Sequence, residues 1–167
     1  MLIALAASVG VLAVVATWLF FGPLAALDAQ VWQAFIAWGC HYHCGGKIAG
    51  TRNTIVCMSF GAVVGMSAVF LAGHLAGLGA FAAPLAVGIG AAVIVLASSL
   101  PWLSAIPASV YGFASIAGLW LLGAGTLGEN VNVAAALLPT IVSIVVGAAF
   151  GYVSEAVAGA LTKKTAA

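Results

Sequence analysis

Long apolar runs, broken by short clusters of Gly, Pro and a few polar residues, set the pattern of this chain. Leu2 to Phe21 is apolar almost throughout and closes at Gly22-Pro23. A shorter run, Ala29 to Cys44, ends at Gly45-Gly46, and a third extends from Thr51 to Gly73. A Gly-rich link with His74, Gly77 and Gly79 leads to the fourth, Phe81 to Leu100, stopped by Pro101. The fifth, Trp102 to Gly125, is interrupted by Pro107; the sixth, Val133 to Leu161, carries Pro139 in its first turns. About 20 apolar residues in helical form cross a bilayer core. In lipid every backbone N–H and C=O must pair within its own segment, so each run is predicted to be a helix. The polar–apolar alternation of a membrane barrel is missing. The pattern predicts an all-α, polytopic membrane protein of about six transmembrane helices. It forms one integral membrane domain over residues 1–167, with a short cytoplasmic tail at 162–167.

An internal repeat runs through these helices. Sliding the chain along itself lays Thr54-Ile55-Val56 on Thr140-Ile141-Val142, Gly61-Ala62 on Gly147-Ala148, Gly65 on Gly151, and Ala72-Gly73 on Ala158-Gly159. The halves are then 1–80 and 81–161. A unit of three spans repeated in series must be inverted in the membrane, giving a 3+3 inverted repeat. Inverted repeats with short or broken helices at matching places are a pattern of channels and transporters. The short second run and the Pro-broken fifth form the matching pair. Gly61 with Gly65, and Gly147 with Gly151, place small residues on one helix face, where backbones can approach closely. They serve helix packing or line a path for a small solute.

Composition agrees with the membrane reading. The chain is 65% hydrophobic and 4% charged, with mean hydropathy +1.29, whereas a soluble domain carries about 25% charged residues. Net charge is +1, which gives no electrostatic case for nucleic acid. The N-terminus lacks the basic region of a cleaved signal, so the first run is expected to be retained. Lys47 and Arg52 lie between runs two and three, and Lys163 and Lys164 follow run six. If both clusters are cytoplasmic, both termini are cytoplasmic too, and Asp28 and Glu129 fall on the outer side.

Candidate chemistry is concentrated in Trp38-Gly39-Cys40-His41-Tyr42-His43-Cys44-Gly45-Gly46-Lys47. On a helix, Cys40, His43 and Cys44 share a face, with His41 beside them. Thiolate and imidazole are ligands for zinc or copper(I). The structural alternative makes Cys40 and Cys44 small packing residues and the two His interfacial. Gly45-Gly46 suits a helix end in the left-handed conformation. Lys47 and Arg52 mark the cytoplasmic face or hold an anion at a pore mouth. Glu155 is an acid inside a predicted span, where a functional role is the default; alternatively it is interfacial and faces Lys163. Ser109 and Tyr111 in run five, with Trp38, His41, His43 and Glu155, are the candidate solute path. Trp18, Trp32, Trp38, Trp102 and Trp120 mostly fall near span ends, as an aromatic belt does. No phosphate-binding loop is present and no catalytic triad assembles, so an enzyme is not expected.

Three places in the chain carry a family resemblance. They are Trp38-Gly39-Cys40 with Gly45-Gly46-Lys47; Ser104-Ala105-Ile106-Pro107-Ala108 continuing to Tyr111-Gly112, Ala114 and Gly118; and Leu138-Pro139-Thr140 with Gly147 and Phe150-Gly151-Tyr152. In this order the chain resembles the YcdZ-like small bacterial inner-membrane proteins, grouped as domain of unknown function 1097. The resemblance implies a polytopic protein of the bacterial inner membrane and carries no activity with it. His41 and His43 depart from the family pattern.

The expected function is a membrane channel or facilitator for a small, uncharged solute, working without a cofactor as a homo-oligomer in the lipid bilayer. A metal-binding or redox protein, with zinc or copper on Cys40, His41, His43 and Cys44, is the first alternative. An accessory membrane subunit without its own activity is the second.

Overall fold

Helix is the only regular structure among the described residues. A computed structural model describes residues 1–125 and 132–165, which form α1 (Leu2–Phe21), α2 (Val31–His43), α3 (Lys47–His74), α4 (Ala82–Ala97), α5 (Ile106–Gly125) and α6 (Val133–Thr165). Four stretches are long and apolar enough to cross a membrane: Leu2–Phe21, Lys47–His74, Ala76–Ala97 and Val133–Thr162. The chain is thus built as a membrane protein. The expected count of six crossings rests on the other two helices. Ile106–Leu121 is apolar but shorter. α2 has 13 residues and rises about 20 Å, against a hydrocarbon core of about 30 Å.

Pro107 corrects one expectation. It does not break a helix, because Pro101–Leu103 forms a separate turn and α5 begins only at Ile106. Pro107 therefore sits in the first turn, where an N–H has no intrahelical acceptor to lose. Pro107 thus frees no carbonyl within α5. Pro139 does lie inside its helix, α6, and leaves the carbonyl four residues earlier without its usual donor.

The helices pack as an inverted pair of three. α3 runs parallel to α5: a Cβ at Gly61 would overlap the Ser109 carbonyl, and one at Gly65 would strike Phe113 and Ile116. α6 runs parallel to α2 in the same way, with Gly147 on the Ala34 carbonyl and Gly151 on His41. Ala34 to His41 and Ser109 to Ile116 are the same step along each helix. Within each half the second and third helices fold back on one another. Thr51 returns to His41, and Val133 and Ala136 return to Ile116 in one apolar cluster. α3 and α6 are therefore antiparallel, and the halves are inverted. α1 runs antiparallel to α6, with Ser8 bonded to the Ser154 carbonyl and Phe20 packed in the cluster that holds Val142 and Val146.

Burial follows the same correspondence. Thr54 and Thr140, Met58 and Ile144, and Ala62 and Ala148 are all fully buried. The Gly pairs act in packing within the chain, since each lies under a neighbouring helix rather than beside open space.

Candidate functional site

The turn between α2 and α3 builds the most polar part of the molecule. Gly45, Gly46 and Lys47 all have positive φ, at 90°, 69° and 55°. The two glycines adopt this freely; Lys47 does so at a cost for a side chain with Cβ. The result aims the Lys47 amide out of the start of α3 and onto Glu155 of α6. Lys47 N–H donates to Glu155 Oε2 at 2.6 Å, a carboxylate at the positive end of a helix dipole. His41 Nε2 donates to the same oxygen at 3.0 Å. On the other side of the imidazole, Nδ1 lies 3.1 Å from Thr51 Oγ1, whose hydroxyl also reaches the Lys47 carbonyl at 3.0 Å. His41 is completely buried, while the Glu155 side chain is 35% exposed. A groove of about 400 Å³ lined by Lys47, Ile48, Tyr152, Glu155 and Ala156 leads to the carboxylate.

Ser154 anchors the next layer. Its hydroxyl donates to the Gly151 carbonyl at 2.8 Å. It accepts from Trp38 Nε1 at 2.9 Å and from the Tyr42 hydroxyl at 2.6 Å. Trp38 stacks between Phe35 and Phe150. This tryptophan is a buried strut between α2 and α6, not part of an aromatic belt.

Deeper in the seam between the halves lies a set of polar groups of which the sequence pointed only to Ser109. Gln33 is fully buried and donates through Nε2 to the Ser115 carbonyl at 3.1 Å and to Thr140 Oγ1 at 3.2 Å. Its Oε1 has no partner, and Thr54 Oγ1 and Ser109 Oγ, both buried, have only the thiols of Cys40 and Cys57 beside them, which are weak hydrogen-bonding groups. The available signal was Gln33 itself, an amide at an otherwise apolar stretch of α2.

The predicted solute-path residues form separate contacts rather than one lining. His41 meets Glu155, His43 Nδ1 lies 2.8 Å from the Tyr111 hydroxyl, Trp38 turns to Ser154, and Ser109 packs under Gly61. Nor do the four candidate metal ligands converge. Cys40 Sγ and Cys44 Sγ lie 3.9 Å apart, while both imidazoles face away to partners on α6 and α5. No group of three or more His, Cys, Asp or Glu side chains able to hold a metal occurs among the described residues. Cys40 instead joins Cys57, Met58 and Ile144 in an apolar cluster. Glu155 turns to the α2–α3 turn; the Lys163 side chain considered as its partner, and Glu129, lie outside the described residues.

Apolar spanning helices, an inverted repeat and a polar seam define a polytopic helical membrane protein. The chain belongs to the family described as protein of unknown function DUF1097, whose model matches residues 6–159. No curated protein and no solved structure matches it.

Proposed function

We propose that the chain is a channel or facilitator for a small, uncharged polar solute, whose path runs along the seam between the two inverted halves. The observation that carries this reading is a set of buried polar atoms poorly served by the protein: Gln33 Oε1, which has no partner, and Thr54 Oγ1 and Ser109 Oγ, which have only the weakly bonding thiols of Cys40 and Cys57 beside them. Buried polar groups are nearly always bonded, and in an apolar environment an unmet one costs several kcal/mol. One unmet and two weakly met groups, on three helices across one seam, are what a passing neutral solute needs as successive partners. The inverted repeat supports the same reading, because it allows the halves to rock about a fixed central site.

The basic residues fit an inner-membrane topology with both termini cytoplasmic. Lys47 and Arg52 open α3, whose first turn meets Glu155 near the end of α6, and Lys163 and Lys164 follow Glu155 on that helix. α1 begins at the same end. The positive-inside rule makes that end cytoplasmic. Lipid and further copies of the chain are the expected partners of exposed apolar residues on α1 such as Val11, Val14 and Trp18.

Reconstituted vesicles test the path by light scattering after mixing with urea, glycerol or another small neutral solute. The protein is expected to raise permeability to at least one solute of the panel. Gln33→Leu, which removes an amide from the seam, is expected to lower that permeability about tenfold, the equivalent of one hydrogen bond of about 1.4 kcal/mol. No flux above lipid alone, over the whole panel, would overturn the reading.

A further inference from the structure

The inverted correspondence sets unlike residues at like places. Pairing Gly65 with Gly151 and Ser109 with Ala34 also pairs Val69 with Glu155 and Ile116 with His41. One end holds the imidazole and carboxylate, while at the other Ile116 and Val69 share an apolar cluster. Along the seam the same steps pair Thr140 with Thr54, Ser115 with Cys40, and Gln33 with Ala108. Ala108 thus stands where the other half has its amide, and the seam has this group on one side only.

We infer that Gln33 selects the solute through its free carbonyl oxygen, and that the selected class is small neutral molecules that donate hydrogen bonds through N–H or O–H. This rests on the path proposed above.

The partners of Gln33 fix which of its atoms is left over. A backbone carbonyl can only accept, so the atom 3.1 Å from the Ser115 carbonyl is the amide nitrogen. That nitrogen has two hydrogens. One goes to Ser115 and the other to Thr140 Oγ1, 3.2 Å away. Turning the amide over would set two acceptors against each other at Ser115. The nitrogen is therefore fully used within the protein, and Oε1 remains with both lone pairs unmet.

Ser109 is one-sided in the same sense. Cys57 gives its single hydrogen to the Trp102 carbonyl at 3.4 Å. Towards Ser109 its sulfur can then only accept. Ser109 directs its hydrogen to that sulfur, and its oxygen receives none. Gln33 and Ser109 therefore offer acceptors and no spare donor.

A solute is chosen by what it can give. Both groups are fully buried while the seam is closed, and rocking of the halves exposes them. A molecule with N–H or O–H meets an acceptor that is otherwise bare. A molecule that only accepts brings its lone pairs against Oε1 and leaves both unmet. Sites built on hydrogen bonds reject an analogue that lacks the matching group more strongly than they discriminate by size. Two acceptors do not replace the hydration shell of a cation, which takes a ring of them.

Urea and dimethyl sulfoxide test the assignment. They share a heavy-atom count and a branched shape, but urea donates through its N–H groups and dimethyl sulfoxide only accepts. Light scattering from reconstituted vesicles gives the permeability that the protein adds over lipid alone. The added permeability is expected to be about tenfold greater for urea. Gln33→Met, which keeps the length of the side chain without the amide, is expected to abolish that preference. Equal values for the unsubstituted protein, or a preference that survives in Gln33→Met, would overturn the inference and leave the path standing. Should Gln33→Met fail to fold, or neither solute pass, carbon-13 spectra in lipid decide. In a Gln30→Ala background Gln33 is the one glutamine. Urea must shift its side-chain carbonyl resonance and dimethyl sulfoxide must not. That response without flux keeps the site and removes the path; no response to urea would overturn the inference.

Discussion

Gly147→Ala, and separately Gly61→Ala, are expected to destabilise the folded protein far more than methyl additions at helix glycines that face no neighbouring backbone. Each added Cβ would overlap a backbone carbonyl of the facing helix, Ala34 for Gly147 and Ser109 for Gly61. A side chain can rotate away from such a contact, but a helix backbone cannot. The helices must separate, and the interdigitated residues on either side lose contact. Overpacking ordinarily costs about 1–3 kcal/mol and occasionally more; a backbone obstacle places these changes at or above the top of that range. For a chain of this size about 3 kcal/mol corresponds to a fall of roughly 10 °C in thermal midpoint. Gly39→Ala and Gly88→Ala are the controls. Both sit in helices with nothing within 4 Å of the new Cβ, and alanine favours helix over glycine by about 1 kcal/mol. Tryptophan fluorescence against temperature in detergent measures all four. Equal midpoints for Gly147→Ala and Gly39→Ala would show that the close approach of α6 to α2 is not what holds the halves together.

These glycines also show how far the sequence could be read. Their spacing and the repeat around them were visible because small residues leave a pattern when two helix faces must touch. The helix-ending Gly45-Gly46 was visible for a similar reason, since positive φ selects glycine. What could not be read was the partner of each polar side chain. His41 and Cys40 are neighbours in the chain, and local spacing groups them. A helix sends them in different directions, one to Glu155 and one into an apolar cluster with Cys57. The proximity of His41 to Glu155, far apart in sequence, is set by the inverted docking of α2 on α6. Pro107 was misread because a proline marks a helix break and a helix start equally well. Which of the two applies depended on where Pro101–Leu103 ended. Gln33 was overlooked because a single amide has no periodicity to announce it.

The inverted correspondence makes a second strong prediction about the polar end. Replacing Glu155 by Val, the residue that nature places at the equivalent Val69, leaves His41 completely buried with no acid beside it. Breaking a buried pair in this way costs about 3–5 kcal/mol. Glu155 is 35% exposed, so solvent reduces the loss to about 2–3 kcal/mol. His41→Ile alone removes one partner from a carboxylate that keeps the Lys47 N–H and its groove, and is expected to cost about 1–2 kcal/mol. The double variant, His41→Ile with Glu155→Val, copies the Ile116–Val69 end. Apolar replacement of a whole ion pair is often neutral. The remaining loss is the cap on the Lys47 amide, about 1 kcal/mol. The double variant is therefore expected to be more stable than Glu155→Val alone, a non-additivity of about 2 kcal/mol in a double-mutant cycle read from thermal midpoints. Simple additivity of the two single changes would mean that the 3.0 Å contact carries no coupling and that the two ends of the repeat are not interchangeable. A rescued double variant would also separate the roles of the pair. It would hold the fold as the apolar end does, without the imidazole and carboxylate that make the polar end chemically distinct.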